Sequence, residues 1–277
     1  MAQHLLFQTA ARYQQRVRAT APLVHCLTNE VVTNWTANVL LAAGASPAML
    51  ADSSEAEVFS AVASTLLINL GTLHVAQTRT MAAAVDATRR SGKPWVLDPV
   101  AVGVLPLRTK FCHTLLREKP TVIRGNPSEI LALAGEASEV RGPDSTQGSD
   151  EALAAAERLA REVKTIVAVT GATDYITDGA RTIRVDNGHP LLQRVTGTGC
   201  ALSALVAAYV STASNEDEIL EAAASACAVF SVAGEEAAQK ALARHEGPGS
   251  FAVYLLDALA TLDEATLENK MQRKMQK

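Results

Sequence analysis

Aromatic side chains are scarce in this chain of 277 residues, at 4% for Phe, Tyr and Trp together, and charged side chains reach only 19%. With so few large rings, the apolar share of 48% falls mainly to Ala, Leu and Val. That composition suits helices packed closely on a sheet. Lys and Arg form no cluster and the formal charge is −4, which argues against a nucleic-acid surface. Apolar stretches are interrupted well short of the roughly 20 residues that span a bilayer, so no membrane segment is expected. Cys26, Cys112, Cys200 and Cys227 include no C-x-x-C pair. Neither a disulfide framework nor a zinc site is expected, and a reducing cytoplasm is the expected location. Cys112 and Cys227 read as small core residues. Residues 1–20 mix Gln, Arg and Tyr with Leu and Val. They lack the apolar centre of a signal peptide and read as a surface helix.

Rhythm is what the chain does have. Apolar runs at 66–71, 94–100, 121–126 and 164–171 read as buried strands. Helical patterns follow at 74–90, 106–118, 128–134 and 150–163, the last with Leu153, Ala156, Leu159, Ala160 and Val163 on one face. Upstream lie a short apolar run at 22–27 and a helix over 31–43 that stops at Gly44. A brief extended segment at 46–50 is set by Pro47, and Asp52 and Glu55 open another helix. Residues 135–148, rich in Gly, Ser and Glu, read as a surface loop. Alternation at 174–179 and 182–186, joined through Asp178-Gly179, predicts a hairpin. The remainder from 198 is helical, with a break near 246–249. The pattern predicts an α/β fold: a mostly parallel central sheet, helices on both faces, and an appended antiparallel hairpin. No internal repeat or linker interrupts it, so residues 1–277 read as one domain.

The chain is organised around Val195-Thr196-Gly197-Thr198-Gly199-Cys200, which opens an Ala-rich helical run. A tight turn there aims free N–H groups and the positive end of the helix dipole at one point, where an anion belongs. Ligands of an open parallel sheet sit outside the carboxyl ends of its strands, which singles out Asn69, Asp98, Arg124, Asn126 and Thr170. Asn69 also reads as a simple turn cap. Asp98, in an Asp-Pro pair directly after a strand, places a carboxylate at the crevice. Arg124 follows Val122-Ile123, a costly place for a charge unless an anion meets it, and reads as a phosphate ligand. In Asn126-Pro127-Ser128-Glu129 the carboxylate either completes a capping box or holds the water shell of Mg²⁺ on a nucleotide. The usual nucleotide signatures are missing. Gly92-Lys93-Pro94 is no Walker motif, and the 197–202 stretch lacks the third glycine of the dinucleotide fingerprint.

Taken in order, Asn126-Pro127-Ser128-Glu129, Val169-Thr170-Gly171 and Thr196-Gly197-Thr198-Gly199-Cys200 resemble the ribokinase-like family of small-molecule kinases. Four further stretches are similar to its hydroxyethylthiazole kinase branch. They are Val24-His25-Cys26-Leu27-Thr28-Asn29, Gly44-Ala45-Ser46-Pro47-Ala48-Met49, Leu97-Asp98-Pro99-Val100 and Ile123-Arg124-Gly125-Asn126. The resemblance implies transfer of the ATP γ-phosphoryl, with Mg²⁺, to the primary alcohol of 4-methyl-5-(2-hydroxyethyl)thiazole in thiamine salvage. It also implies a homotrimer with substrate pockets at the subunit interfaces. Carried over by position, it implies that Met49 lines the thiazole pocket, with Asn29 and the Gly197 N–H near the substrate. Arg124 and Thr170 would contact the ATP phosphates, Asp98 and Glu129 would organise Mg²⁺, and Cys200 would be the catalytic residue. Most ribokinase-like kinases carry Asp where Cys200 stands; the thiazole kinases are the branch with Cys.

Three roles for Cys200 stay open. It is a thiolate base with its pKa lowered by the helix N-terminus, a neutral group hydrogen-bonded to the alcohol, or a small residue of the phosphate turn. A loose transition state sheds the hydroxyl proton late and needs no strong base, and a thiolate would compete with the phosphoryl group for the same N–H groups. The neutral role is therefore preferred. Alternative readings are a kinase of a hydroxymethylpyrimidine or pyridoxal, a dehydratase of related fold that would carry Asp at position 200, or a nucleotide-binding regulatory protein without catalysis. The joint presence of Asp98, Arg124, Glu129 and the 197–200 turn argues against the last.

Overall fold

The strands are β1 (Gln3–His4), β2 (Leu23–Leu27), β3 (Ser46–Ala48), β4 (Thr65–Asn69), β5 (Trp95–Asp98), β6 (Val122–Gly125), β7 (Ile166–Val169), β8 (Asp174–Thr177) and β9 (Thr182–Val185), and each of the apolar runs read from the sequence overlaps one of them. They join in one nine-stranded sheet of order β1-β9-β8-β7-β6-β5-β4-β2-β3. The structure is a computed structural model that describes residues 2–136 and 149–275. Most of the expected surface loop, residues 137–148, lies outside the described residues.

The helices are α1 (Phe7–Thr20), α2 (Thr33–Ala43), α3 (Ala56–Val62), α4 (Val75–Arg90), α5 (Pro106–Leu116), α6 (Pro127–Leu133), α7 (Ser149–Val163), α8 (Thr198–Val210), α9 (Ile219–Ala243), α10 (Pro248–Thr261) and α11 (Glu264–Met275). None of the described helices is long and apolar enough to cross a membrane. Pairing from β3 across to β7 is parallel, and β8 and β9 are antiparallel to their neighbours on the β7 side. This is the α/β fold that the sequence predicts, with its hairpin. The short runs at 22–27 and 46–50 also join the sheet. So does β1, which pairs with β9 and carries too few residues for any periodic signal.

The period of two divides each buried strand between two cores. Leu67, Val96, Val122 and Ala168 face the large core built with α1, α2, α8, α9 and α10. Leu66, Ile68, Leu97, Ile123, Val167 and Val169 face the core built with α4 to α7. The N-terminal helix departs from its reading as a surface helix. Ala10, Ala11, Tyr13 and Val17 are buried in the large core, because a helical stripe survives between the Gln and Arg residues of the other face.

Chain order reverses at β2, with β3 outside it and β4 inside. A crevice opens beyond the carboxyl ends of strands at such a reversal. Continuing the alternation to the strand ends puts Asn69, Asp98, Arg124 and Thr170 on the same face as Leu67, Val96, Val122 and Ala168. That is the α8 face.

Candidate active site

Helix α8 starts at this crevice. Gly197 precedes it at φ 80°, in the left-handed region, and gives no side-chain cap. The first main-chain bond into the helix runs from Ala201 N–H to Gly197 O at 2.9 Å. The N–H groups of Thr198, Gly199 and Cys200 therefore lie outside the helix ladder and face the crevice, as the first turn of any helix requires. The Thr198 hydroxyl ties the turn down by donating to Leu192 O at 2.8 Å. A Cβ on Gly199 would lie 2.8 Å from Arg124 Nη1, so the guanidinium rests against the turn and a larger residue there would push it aside.

Arg124 is half-buried, and its Nη2 donates to the Thr170 hydroxyl. Its buried Nε has no partner among the described residues. A guanidinium has five donors and no acceptor, so Arg124 can still bind an anion.

Asp98 ends β5 and Glu129 lies in the first turn of α6; both are buried and both feel the charge of Arg124. Asp98 Oδ2 accepts from Asn69 Nδ2 at 2.7 Å and from the Ser203 hydroxyl at 2.8 Å. Burial holds its carboxyl above the usual range, against the opposing pull of Arg124. Glu129 forms the capping box: its Oε2 accepts from Asn126 N–H at 2.9 Å, and Asn126 Oδ1 accepts from Glu129 N–H at 2.9 Å. Glu129 Oε1 accepts a second N–H, from Ala101, at 2.9 Å. Burial first, and the charge of Asp98 second, push the Glu129 carboxyl up. Of the two readings of this stretch, the capping box is the one the hydrogen bonds show.

Cys200 lies one helical turn from Ser203, half-buried, and its sulfur accepts from Asn29 Nδ2 at 3.5 Å. Burial, followed by the charge of Asp98, pushes the thiol up to about 12. The lowering anticipated from the helix N-terminus does not prevail, because lost hydration and a facing carboxylate outweigh the dipole. Cys112 and Cys227 are fully buried, as read.

Asn29, Asn69, Asp98, Arg124, Glu129, Thr170, Gly197 and Cys200 thus converge on the start of α8. Met49 does not join them by any contact among the described residues. It stands one residue beyond edge strand β3, partly buried against the large core. Two members of the cluster were undervalued by sequence. Asn69 is fully buried and bonded on both sides, and its strand parity with Leu67 was the available signal. Ser203 is a buried serine between the apolar residues Leu202 and Ala204 of α8, three residues after Cys200.

A model of the hydroxyethylthiazole kinase family matches residues 14–265. A hydroxyethylthiazole kinase from Tolumonas auensis is 52% identical over 267 residues, which cover 96% of this chain and 98% of that one. The solved structure of a hydroxyethylthiazole kinase protein from Pyrococcus horikoshii is 42% identical with a TM-score of 0.84, over 94% of this chain and 95% of that one. A ribokinase-like superfamily protein from Enterococcus faecalis, at 12% identity and a TM-score of 0.66 over 95% and 97% of the two chains, shares the fold. On these matches, the chain belongs to the hydroxyethylthiazole kinase family.

Proposed function

We propose that this protein transfers the γ-phosphoryl group of ATP to the primary alcohol of 4-methyl-5-(2-hydroxyethyl)thiazole, as a cytoplasmic enzyme of thiamine salvage. The observation that carries the reading is the first turn of α8, where uncapped N–H groups, the Arg124 guanidinium and a neutral thiol meet. An anionic phosphoryl group and an attacking hydroxyl both find partners there.

Phosphoryl transfer demands positioning and charge neutralisation more than covalent chemistry. The N–H groups of Thr198, Gly199 and Cys200 neutralise charge developing on the transferred group. Arg124, through its unpaired donors, and the Thr170 hydroxyl hold the remaining phosphates. Asn29 and the Gly197 N–H stand near the alcohol. The Cys200 thiol stays protonated and hydrogen-bonds the alcohol oxygen, whose proton leaves late.

The carboxyl pair fits Mg²⁺. Both carboxyls are buried and held above their usual range, so a cation nearby relieves a standing electrostatic cost. Among the described residues no group of three or more His, Cys, Asp or Glu could hold a metal, and a donor set this small suits an ion that keeps most of its water. Asp98 and Glu129 would hold that hydrated ion. Bound there, Mg²⁺ would supply positive charge to the ATP phosphates. Met49 lines the thiazole pocket, which lies between subunits of a homotrimer.

ADP production from Mg-ATP, measured with a panel of alcohols, tests the reading. The thiazole alcohol should exceed a hydroxymethylpyrimidine and pyridoxal by at least about tenfold in kcat/KM, the discrimination that a shaped pocket supplies. Turnover led by one of the other alcohols would name a different kinase. ADP release with no alcohol dependence would leave a nucleotide-binding protein.

A further inference from the structure

Asn69 is the last residue of β4 and is fully buried; its amide makes three bonds and also lies within hydrogen-bonding reach of the Cys200 thiol. Its Oδ1 accepts from Gly71 N–H and from Asn29 Nδ2, each at 2.9 Å, and its Nδ2 donates to Asp98 Oδ2 at 2.7 Å. These bonds fix which amide atom is which. A main-chain N–H only donates, so the atom facing Gly71 is oxygen, and the opposite atom, facing a carboxylate, is nitrogen. The same logic then orients Asn29: the atom facing Asn69 Oδ1 must be its nitrogen. That nitrogen carries two hydrogens, one directed at Asn69 and the other at Cys200 Sγ, 3.5 Å away. The sulfur is therefore an acceptor on the Asn29 side. Its own S–H points away from Asn29, leaving the thiol hydrogen for the open side of the turn.

We propose that Asn69 is a positioning residue for phosphoryl transfer, which through Asn29 sets the direction of the Cys200 thiol and through its own Nδ2 sets the orientation of the Asp98 carboxylate. One side chain thereby aligns the groups proposed to meet the alcohol and the nucleotide's cation. Ser203 closes the cluster from α8 by donating to the same Asp98 oxygen, which ties the start of α8 to the end of β5. The inference rests on the proposed place of Cys200 beside the alcohol.

The test is a double-mutant cycle of Asn69→Ala and Cys200→Ala, read by kcat, by calorimetric binding of Mg-ADP, and by the S–H stretching band in the infrared. The Cys200 band is isolated by subtracting the spectrum of the matching Cys200→Ala protein. Asn69→Ala should lower kcat by about tenfold to a hundredfold, the worth of a buried polar group left without its partner. Mg-ADP affinity should fall by less than kcat does, and to the same extent with or without Cys200, because it draws on the Asp98 orientation and not on the thiol direction. In the Cys200→Ala background the same change should cost measurably less, because there is no thiol left to aim. The Cys200 band should shift in Asn69→Ala. Should that variant not melt cooperatively, Asn69→Ser, which leaves a hydroxyl in the cluster, replaces it in the same comparison. Strict additivity in the cycle, or an unmoved band in a folded variant, would overturn the proposal and leave Asn69 as a turn cap. Absence of thiazole-alcohol turnover in the unmutated protein would instead overturn the functional reading, and the band shift would still report on Asn69.

Discussion

At the scale of single residues, the decisive one is Cys200. A helix N-terminus favours an anion, yet here burial and the Asp98 carboxylate hold the thiol neutral, up to about 12. A neutral partner contributes about one hydrogen bond to the transition state, so Cys200→Ala should lower kcat by about tenfold rather than by the 10²–10⁴ of a lost general base. Cys200→Asp should keep or raise kcat, because a carboxylate there can also accept the late-leaving proton. Across roughly pH 6 to 9 the unmutated enzyme should show no rate limb owed to the thiol, which titrates well above that window. Steady-state kinetics with calorimetric ATP binding checks all three. Complete loss of transfer in Cys200→Ala, with ATP still bound, would falsify the neutral role and identify an essential base.

At the scale of elements, α6 shows how one local device serves both folding and the site. Asn126 caps the helix, Pro127 opens it, and Glu129 returns a bond to the cap. Asn126→Ala removes the acceptor of two donors, Glu129 N–H and the Ser128 hydroxyl. It should cost about 1 kcal/mol of stability, or about 2–4 °C in Tm for a chain of this size. Activity should fall no further than that loss explains, because the Glu129 carboxylate keeps the main-chain N–H groups of residues 126 and 101. Calorimetry and assays below the melting range separate the two effects. The capping box was legible in the sequence because its residues are three apart. So were the stop at Gly44, in the left-handed region at φ 92°, and the hairpin that follows β7. Strand β1 was not, because its order comes from its partner β9 across the chain. Nor was the raised Cys200 thiol, which depends on Asp98, more than a hundred residues earlier. The Asn29–Asn69–Asp98 chain joins the ends of three strands, and only the parallel register of β2, β4 and β5 brings them side by side.

At the scale of the whole molecule, the question is what covers the apolar side chains a single chain leaves in water. Helices α2 and α10 pack on each other, yet Leu41 on the first is 60% exposed and Val253 on the second 58%. Val31, in the turn before α2, is 66% exposed. The same helix leads from Asn29 to the segment carrying Met49, so this face borders both parts of the proposed substrate pocket. Covering it with another copy would bury apolar surface at about 25 cal/mol per Å² and would place that copy beside the segment that carries Met49. Light scattering should accordingly give a mass near three times the 29.2 kDa of the chain. Leu41→Asp should move the mass toward that of the single chain. It should also raise the KM for the thiazole alcohol, while Mg-ADP binding, which draws on Arg124 and α8 within one chain, should stay within about threefold. A trimer that withstands Leu41→Asp would exclude this face from the interface. A single-chain mass in the unmutated protein, together with full thiazole turnover, would show that one chain completes the pocket.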